Sequence, residues 1–337
     1  MRKLTELLVP KNIPSVLLLA LLVIMFLFPA FGGDNTLSVL EYILILCLFS
    51  LSINLLLGYT GLLSFGQALF YATGAYASAK IVLAYPNLLA GVIGGIVIAA
   101  VLAFIVGWFC IRHTRIYFSM ITLAFGMVGY SFFLESSFFG GTGLSIPNAP
   151  IVIPHVFSIS MTSHFAEYYF VVIVALIAIF LLYRLVHSPL GLVFKGIRDS
   201  ESRIAFTGIS ISKMRLLSFV ISGIYAGLAG TLSAFVNLAV DPFASHWVTS
   251  IDPIIATLLG GMYTFSGPIV GSILLYIAKY IIVSYTMQWM LPLGVLIIAL
   301  VLGLRGGVVG SLEQRLFPWL RSRLAERSRR ERIDIKH

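Results

Sequence analysis

Apolar residues run through this chain in blocks too long for a soluble core. Largely uncharged apolar stretches occupy 13–31, 38–57, 62–84, 88–111, 117–135, 168–186, 216–239, 252–264, 266–285 and 289–304. A helix needs about 20 apolar residues to cross the hydrocarbon core of a bilayer. The pattern therefore predicts an all-α integral membrane protein, a polytopic helical bundle of about 8–10 spans. The first stretch follows a basic start containing Arg2, Lys3 and Lys11, which a signal peptide would share. No convincingly small residue precedes a cleavage point, so a retained helix is expected.

Two of the breaks between stretches look alike. One reads Leu57-Gly-Tyr-Thr-Gly-Leu-Leu-Ser-Phe-Gly-Gln67 and the other Leu259-Gly-Gly-Met-Tyr-Thr-Phe-Ser-Gly-Pro268. Both are rich in glycine and hydroxyls, and both are entered from the same side. Matched Gly/Pro interruptions in the two halves of a transporter point to a substrate path. Two ordinary tight turns would give the same sequence, so both readings stand. Glycines at 223, 227 and 230, and at 267 and 271, fall on single helix faces. That spacing predicts close backbone approach between helices.

Composition agrees with the pattern. Of 337 residues, 59% are hydrophobic and 10% charged, against about 25% charged in a soluble domain. The formal charge of +9 does not bring nucleic acid into the picture, because no aromatic-interleaved basic module accompanies it. The basic residues instead mark a side. With the amino terminus inside, Arg112, Arg115, Lys195, Arg198, Arg203, Lys213, Arg215 and the Arg-rich tail all fall in the cytoplasm, and only Lys80 and Lys279 fall on the other side. This is the positive-inside bias, and it predicts a multi-pass protein of the cytoplasmic (inner) membrane with both termini cytoplasmic. One membrane domain, 1–310, is followed by a basic tail, 311–337, either lying on the anionic leaflet or solvated. Cys47 and Cys110 lie in apolar stretches and read as small buried hydrophobes.

Candidate chemistry is sparse. The six histidines are scattered, with no metal-ligand spacing and no nucleophile elbow. The stretch from Gly191 to Gly196 has the two glycines of a P-loop, but Ile197 and Arg198 stand where its Lys and Ser/Thr belong. An enzyme is not expected, and neither is a cofactor or metal. Polar residues inside the apolar stretches either line a path or bond helix to helix. Asn54 and Gln67 flank the first interruption and Asp252 opens the second. These three are the candidate path residues.

The most informative polar piece is 188–215. Pro189 opens it, and Leu192 to Phe206 is predicted as one amphipathic helix with Val193, Phe194, Ile197, Ile204 and Ala205 on its apolar face. Gly208 ends it. A short charged helix with an apolar face suits a cleft on a cytoplasmic partner, whereas a merely solvated loop would not need that face.

Taken together, 54–67, Gly140-Gly-Thr-Gly-Leu144, 191–209, 217–230, and 258–261 with 267–271 make the chain resemble the permease subunits of branched-chain amino-acid ABC importers, of the LivM type. The likeness covers about Ser52 to Ser311. It implies that 188–209 is a coupling segment docking on an ATP-binding subunit, with Lys195, Arg198, Glu201 and Gly208 as the coupling residues. It also implies a homologous second permease, two cytoplasmic ATP-binding subunits that carry the hydrolysis, an extracytoplasmic solute-binding protein and a lipid surround. Leu, Ile or Val is the implied substrate; related permeases carry urea or short-chain amides, which is the alternative, and a stand-alone secondary transporter is a further one. Arg203 and Ile204 stand where the family often has alanines, and 140–144 lacks the acidic or amide residue often found there.

Overall fold

The computed structural model describes residues 34–113, 115–139, 143–147, 150–153, 157–159 and 164–285, together with 291–292, 294–295, 298 and 306–311. The first predicted span, most of the last, and the tail beyond Ser311 lie outside the described residues. The chain divides into two compact units at Ile254.

The first unit is helical: α1 (Asp34–Asn54), α2 (Gln67–Ala84), α3 (Leu88–Cys110), α4 (Arg115–Glu135), α5 (His164–Val186), the short pair α6 (Pro189–Asp199) and α7 (Glu201–Ala205), and α8 (Ile211–Asn237). Helix α9 (Ile251–Gly260) runs across the division, and α10 (Gly267–Tyr285) belongs to the second unit. Six described helices are long and apolar enough to span a bilayer. The protein is therefore a polytopic all-α membrane protein. The strands are two or three residues long and form two antiparallel pairs, β1 (Leu144–Ser145) with β4 (Ala239–Val240) and β2 (Ile151–Ile153) with β3 (Phe157–Ile159).

Burial separates inner helices from outer ones. The most apolar windows of α1 and α8 are 78% and 72% buried, against 33% for α3 and α4. Helix α2 is polar for a span, with Gln67, Thr73, Ser78 and Lys80, yet all its residues from Gln67 to Ala79 except Tyr71 are buried. A helix can afford those groups only where protein rather than lipid surrounds it.

The predicted glycine faces do what their spacing implies. A side chain at Gly74 of α2 would collide with the Gly227 backbone of α8, one at Gly230 with the Tyr71 carbonyl, and one at Gly223 with Ala103 of α3. Within the second unit, Gly260 meets Gly267, and Gly271 meets Ala256, across the α9–α10 turn. Apolar surface gives no net drive between helices in lipid, so close packing and buried hydrogen bonds must supply it. Helix α8 accordingly donates a hydroxyl to three neighbours: Ser222 to the Ser52 carbonyl of α1 (2.6 Å), Thr231 to the Gly74 carbonyl of α2 (3.2 Å), and Tyr225 to the Ala178 carbonyl of α5 (2.8 Å).

One end of this unit holds the α6–α7 segment together with the end of α1, the α3–α4 turn and the start of α8. Arg112, Arg115, Lys195, Arg198, Arg203, Lys213 and Arg215 all lie at this end. Lys80 lies at the other end of α2, close to the α2–α3 connection.

Candidate functional site

The site is an interruption of the helix ladder and the segment that grips it. Regular α-helix stops at Asn54, and Leu55–Thr60 continues as one π-helical turn. Single π-turns of this kind occur often at functional positions. Gly61 ends it at φ 73°, with Leu62 N–H donating to the Leu56 carbonyl (2.9 Å). Glycine is required here twice: the left-handed conformation favours it, and a Cβ would fall 3.1 Å from Arg198 Cγ.

Residues 61–66 carry the chain back without helix or strand. Ser119 of α4 donates to the Leu63 carbonyl (2.7 Å), and Gly66 lies against Thr122. Thr122 is seven residues into α4, about 10 Å along its axis, so α2 begins inside the bundle rather than at its surface. The prediction of a helix from residue 62 is corrected to Gln67. The turn at 58–61 itself reaches the α6–α7 end. The second interruption pivots likewise on a positive-φ glycine, Gly261 (φ 120°), but follows an ordinary α-helix.

The 188–215 segment differs from its prediction in two ways. The single helix over 192–206 is two helices, because Ser200 is extended (φ −166°, ψ 105°). Asp199, Ser200 and Ser202 are poor helix interiors, and the break lets α7 fold back so that Ile204 sits on Gly196. The apolar face is also only partly left for a partner: Val193 and Ile204 are half-buried and Ala205 is exposed. Phe194 and Ile197 are fully buried within this chain, where α6 packs on α5, α8 and the π-turn. The large apolar side chains of the segment left exposed are Leu190, Leu192 and Phe206, the last of them 92% exposed.

Two of the predicted coupling residues point inward. Arg198 donates from Nη1 to the Gly58 carbonyl (2.5 Å), and Lys195 Nζ lies 5.2 Å from the centre of the Tyr59 ring. Arg198 thus places a cation on the C-terminal carbonyls of the π-turn, where the helix dipole favours one. Glu201, half exposed, pairs with the buried Arg215 at the start of α8. The sequence counted Arg215 only as one of the cytoplasmic charges at the end of 188–215; the signal of its burial was an arginine four residues into an apolar helix. Gly208 (φ 81°) closes the segment with open space around it.

The predicted path residues are brought to one region. Asn54 and Gln67 stand at the two sides of the interruption and are both buried. Neither amide atom of Gln67 has a hydrogen-bond partner among the described residues. After α8 the chain dips back into the bundle as two 3₁₀ turns, Pro242–Ser245 and Trp247–Ser250. His246 lies against Tyr130 of α4, and Ser250 Oγ accepts from the Ala68 N–H (2.9 Å). Asp252 follows two residues later, in the first turn of α9. Sequence reading missed this descent, since 242–250 has neither the length nor the periodicity of a span.

Comparison with known proteins fits this arrangement. No solved structure matches the chain. The high-affinity branched-chain amino acid transport system permease protein LivM of Salmonella typhimurium is 28% identical over 86% of this chain and 73% of its own length, and that of Escherichia coli is 27% identical over the same shares. The E. coli permease protein LivH of the same kind of system is 25% identical over 71% of this chain and 82% of its own. The family described as branched-chain amino acid transport system / permease component matches residues 35–310, which takes in the interrupted helix, the α6–α7 segment and the descent after α8, and the chain belongs to that family.

Proposed function

We propose that this chain is the membrane-spanning subunit of an ABC importer for branched-chain amino acids, with 188–209 as its coupling segment. One observation carries the reading: Arg198 ties that segment to the Gly58 carbonyl, at the turn that separates Asn54 from Gln67. Displacing α6 pulls on the interruption directly. Asn54, Gln67 and Asp252 then line the path, and rearrangement of the 61–66 leg opens or closes it. Exposed Leu192 and Phe206, with Glu201, Arg203 and Gly208 around them, form the face offered to an ATP-binding subunit. The basic end is cytoplasmic by the positive-inside bias, and the membrane is the inner one.

The other components follow from the same reading. Hydrolysis resides on two separate ATP-binding subunits, and substrate arrives from an extracytoplasmic solute-binding protein. Likeness to both LivM and LivH proteins of one organism supports a homologous rather than identical second permease.

The test is uptake of labelled leucine, isoleucine and valine by the assembled transporter in proteoliposomes loaded with ATP. Arg198→Ala removes a charge-assisted hydrogen bond worth about 1.5–3 kcal/mol, reduced because the side chain is partly exposed. Transport per ATP hydrolysed is expected to fall about tenfold, with assembly intact. Uptake independent of ATP, or an unchanged transport-to-hydrolysis ratio in the variant, contradicts the proposal.

A further inference from the structure

An elongated groove of about 740 Å³ runs along α2 between α3 and α4. Its floor includes Ala77 and Lys80; Val101 and Ile105 stand on one wall, Val128 and Phe132 on the other. Apart from Lys80, the side chains named here are wholly apolar. The described lining also includes the hydroxyls of Thr73, Tyr76 and Tyr85 but no carboxylate. A zwitterionic amino acid would therefore find a cation for its carboxylate and no counter-charge for its desolvated ammonium. It is separate from the interruption described above.

We propose that this groove binds an anionic phospholipid, with one acyl chain between α3 and α4 and the phosphate at Lys80. Three observations favour this occupant. Lys80 is in neither of the ion pairs found among the described residues; its Nζ lies 4.4 Å from the centre of the exposed Phe138 ring at the groove mouth. A cation so placed, at the end of the bundle remote from α6, complements an anionic headgroup. The length fits as well. From Lys80 back to Leu69, at the inner end of the lining, is eleven residues, or about 16 Å of helix, close to half of a hydrocarbon core about 30 Å thick. The rim is also wrong for a second helix. Val101, Ile105, Val128 and Phe132 are large and exposed, whereas membrane helices pack through small residues. The glycines of α3 (Gly91, Gly94, Gly95 and Gly107) already lie against α2 and α8.

The test is native mass spectrometry of the delipidated full chain in detergent, titrated with phosphatidylglycerol and, separately, phosphatidylethanolamine. One phosphatidylglycerol should bind about fivefold more tightly than phosphatidylethanolamine, the preference one lysine near a headgroup supplies. Lys80→Gln should abolish the preference while leaving a bound lipid; Val128→Trp, which fills the groove from an exposed position, should remove the lipid itself. Equal affinity for the two lipids, or binding unaffected by Val128→Trp, overturns the proposal. So does a disulfide formed on oxidation between Val128→Cys and a cysteine introduced into a partner permease or into the 13–31 stretch of this chain, either of which would make the groove a protein contact.

Discussion

The Glu201–Arg215 pair is asymmetric, and the asymmetry predicts unequal costs for breaking it from either side. The Glu201 side chain is 50% exposed and that of Arg215 7%, and Arg215 Nε has no other partner among the described residues. Glu201→Gln leaves a guanidinium enclosed without a counter-charge. Full burial would make that cost about 3–5 kcal/mol; the exposure of its partner lowers it to about 2 kcal/mol. Arg215→Met leaves a carboxylate that water already solvates, and the Met stem keeps most of the packing. Its cost is within about 0.5 kcal/mol. The double variant removes the stranded charge and should be no worse than Arg215→Met, giving an interaction energy of about 2 kcal/mol from the cycle. Unfolding of the purified chain in mixed micelles, titrated with a denaturing detergent and followed by tryptophan fluorescence, measures all four species. A cost for Arg215→Met equal to that of Glu201→Gln, or two losses that add, would show that no buried charge is stranded.

Other consequences are simpler. Gln67→Met keeps the shape but removes an amide without partners among the described residues; it should raise stability by about 1 kcal/mol in the same unfolding assay while lowering uptake. A gain in stability with full uptake would take Gln67 off the path. Gly74→Val drives a branched side chain into the Gly227 backbone and should cost at least about 3 kcal/mol, the upper part of the range for overpacking, read as loss of folded protein after extraction. At Gly208, where open space leaves only backbone strain (φ 81°), Val should cost about 1–2 kcal/mol and Asn distinctly less. Equal effects of Val and Asn by hydrogen exchange of 205–210 would show that φ is not the constraint.

The six described spans were legible because each is an apolar stretch of the right length, whereas 252–264 folds as the ten-residue α9, too short to cross a bilayer. The glycine faces were legible because α2, α3 and α8 pack backbone to backbone. What the sequence could not disclose is which apolar surfaces face their own chain. Phe194 and Ile197 have the periodicity of an amphipathic helix whether their cover is a partner's cleft or α5 and α8. Their burial within the chain overturns the expectation that α6 presents them outward. The π-turn was equally hidden, since Leu55–Thr60 differs from regular helix only in where its carbonyls bond. Arg198 reads from sequence as a surface cation; its bond to Gly58 joins residues 140 positions apart.

That relocation changes how a push on the segment is transmitted. A partner touching Leu192 and Phe206 cannot slide α6 over the π-turn without separating Arg198 from Gly58, Lys195 from Tyr59 and the apolar face from its cover. Together these resist more strongly than the next element in line. Residues 61–66 have no helix or strand, and among the described residues 63–66 are tied to the bundle by the Ser119 hydroxyl on the Leu63 carbonyl, the Leu69 N–H on the Gly66 carbonyl, and the approach of Gly66 to Thr122. Strain collects where resistance is least, so under the proposed mechanism α6 and the π-turn move as one body and the 61–66 leg deforms. Gln67 sits at the end of that leg, which makes it the path residue most directly displaced by the partner.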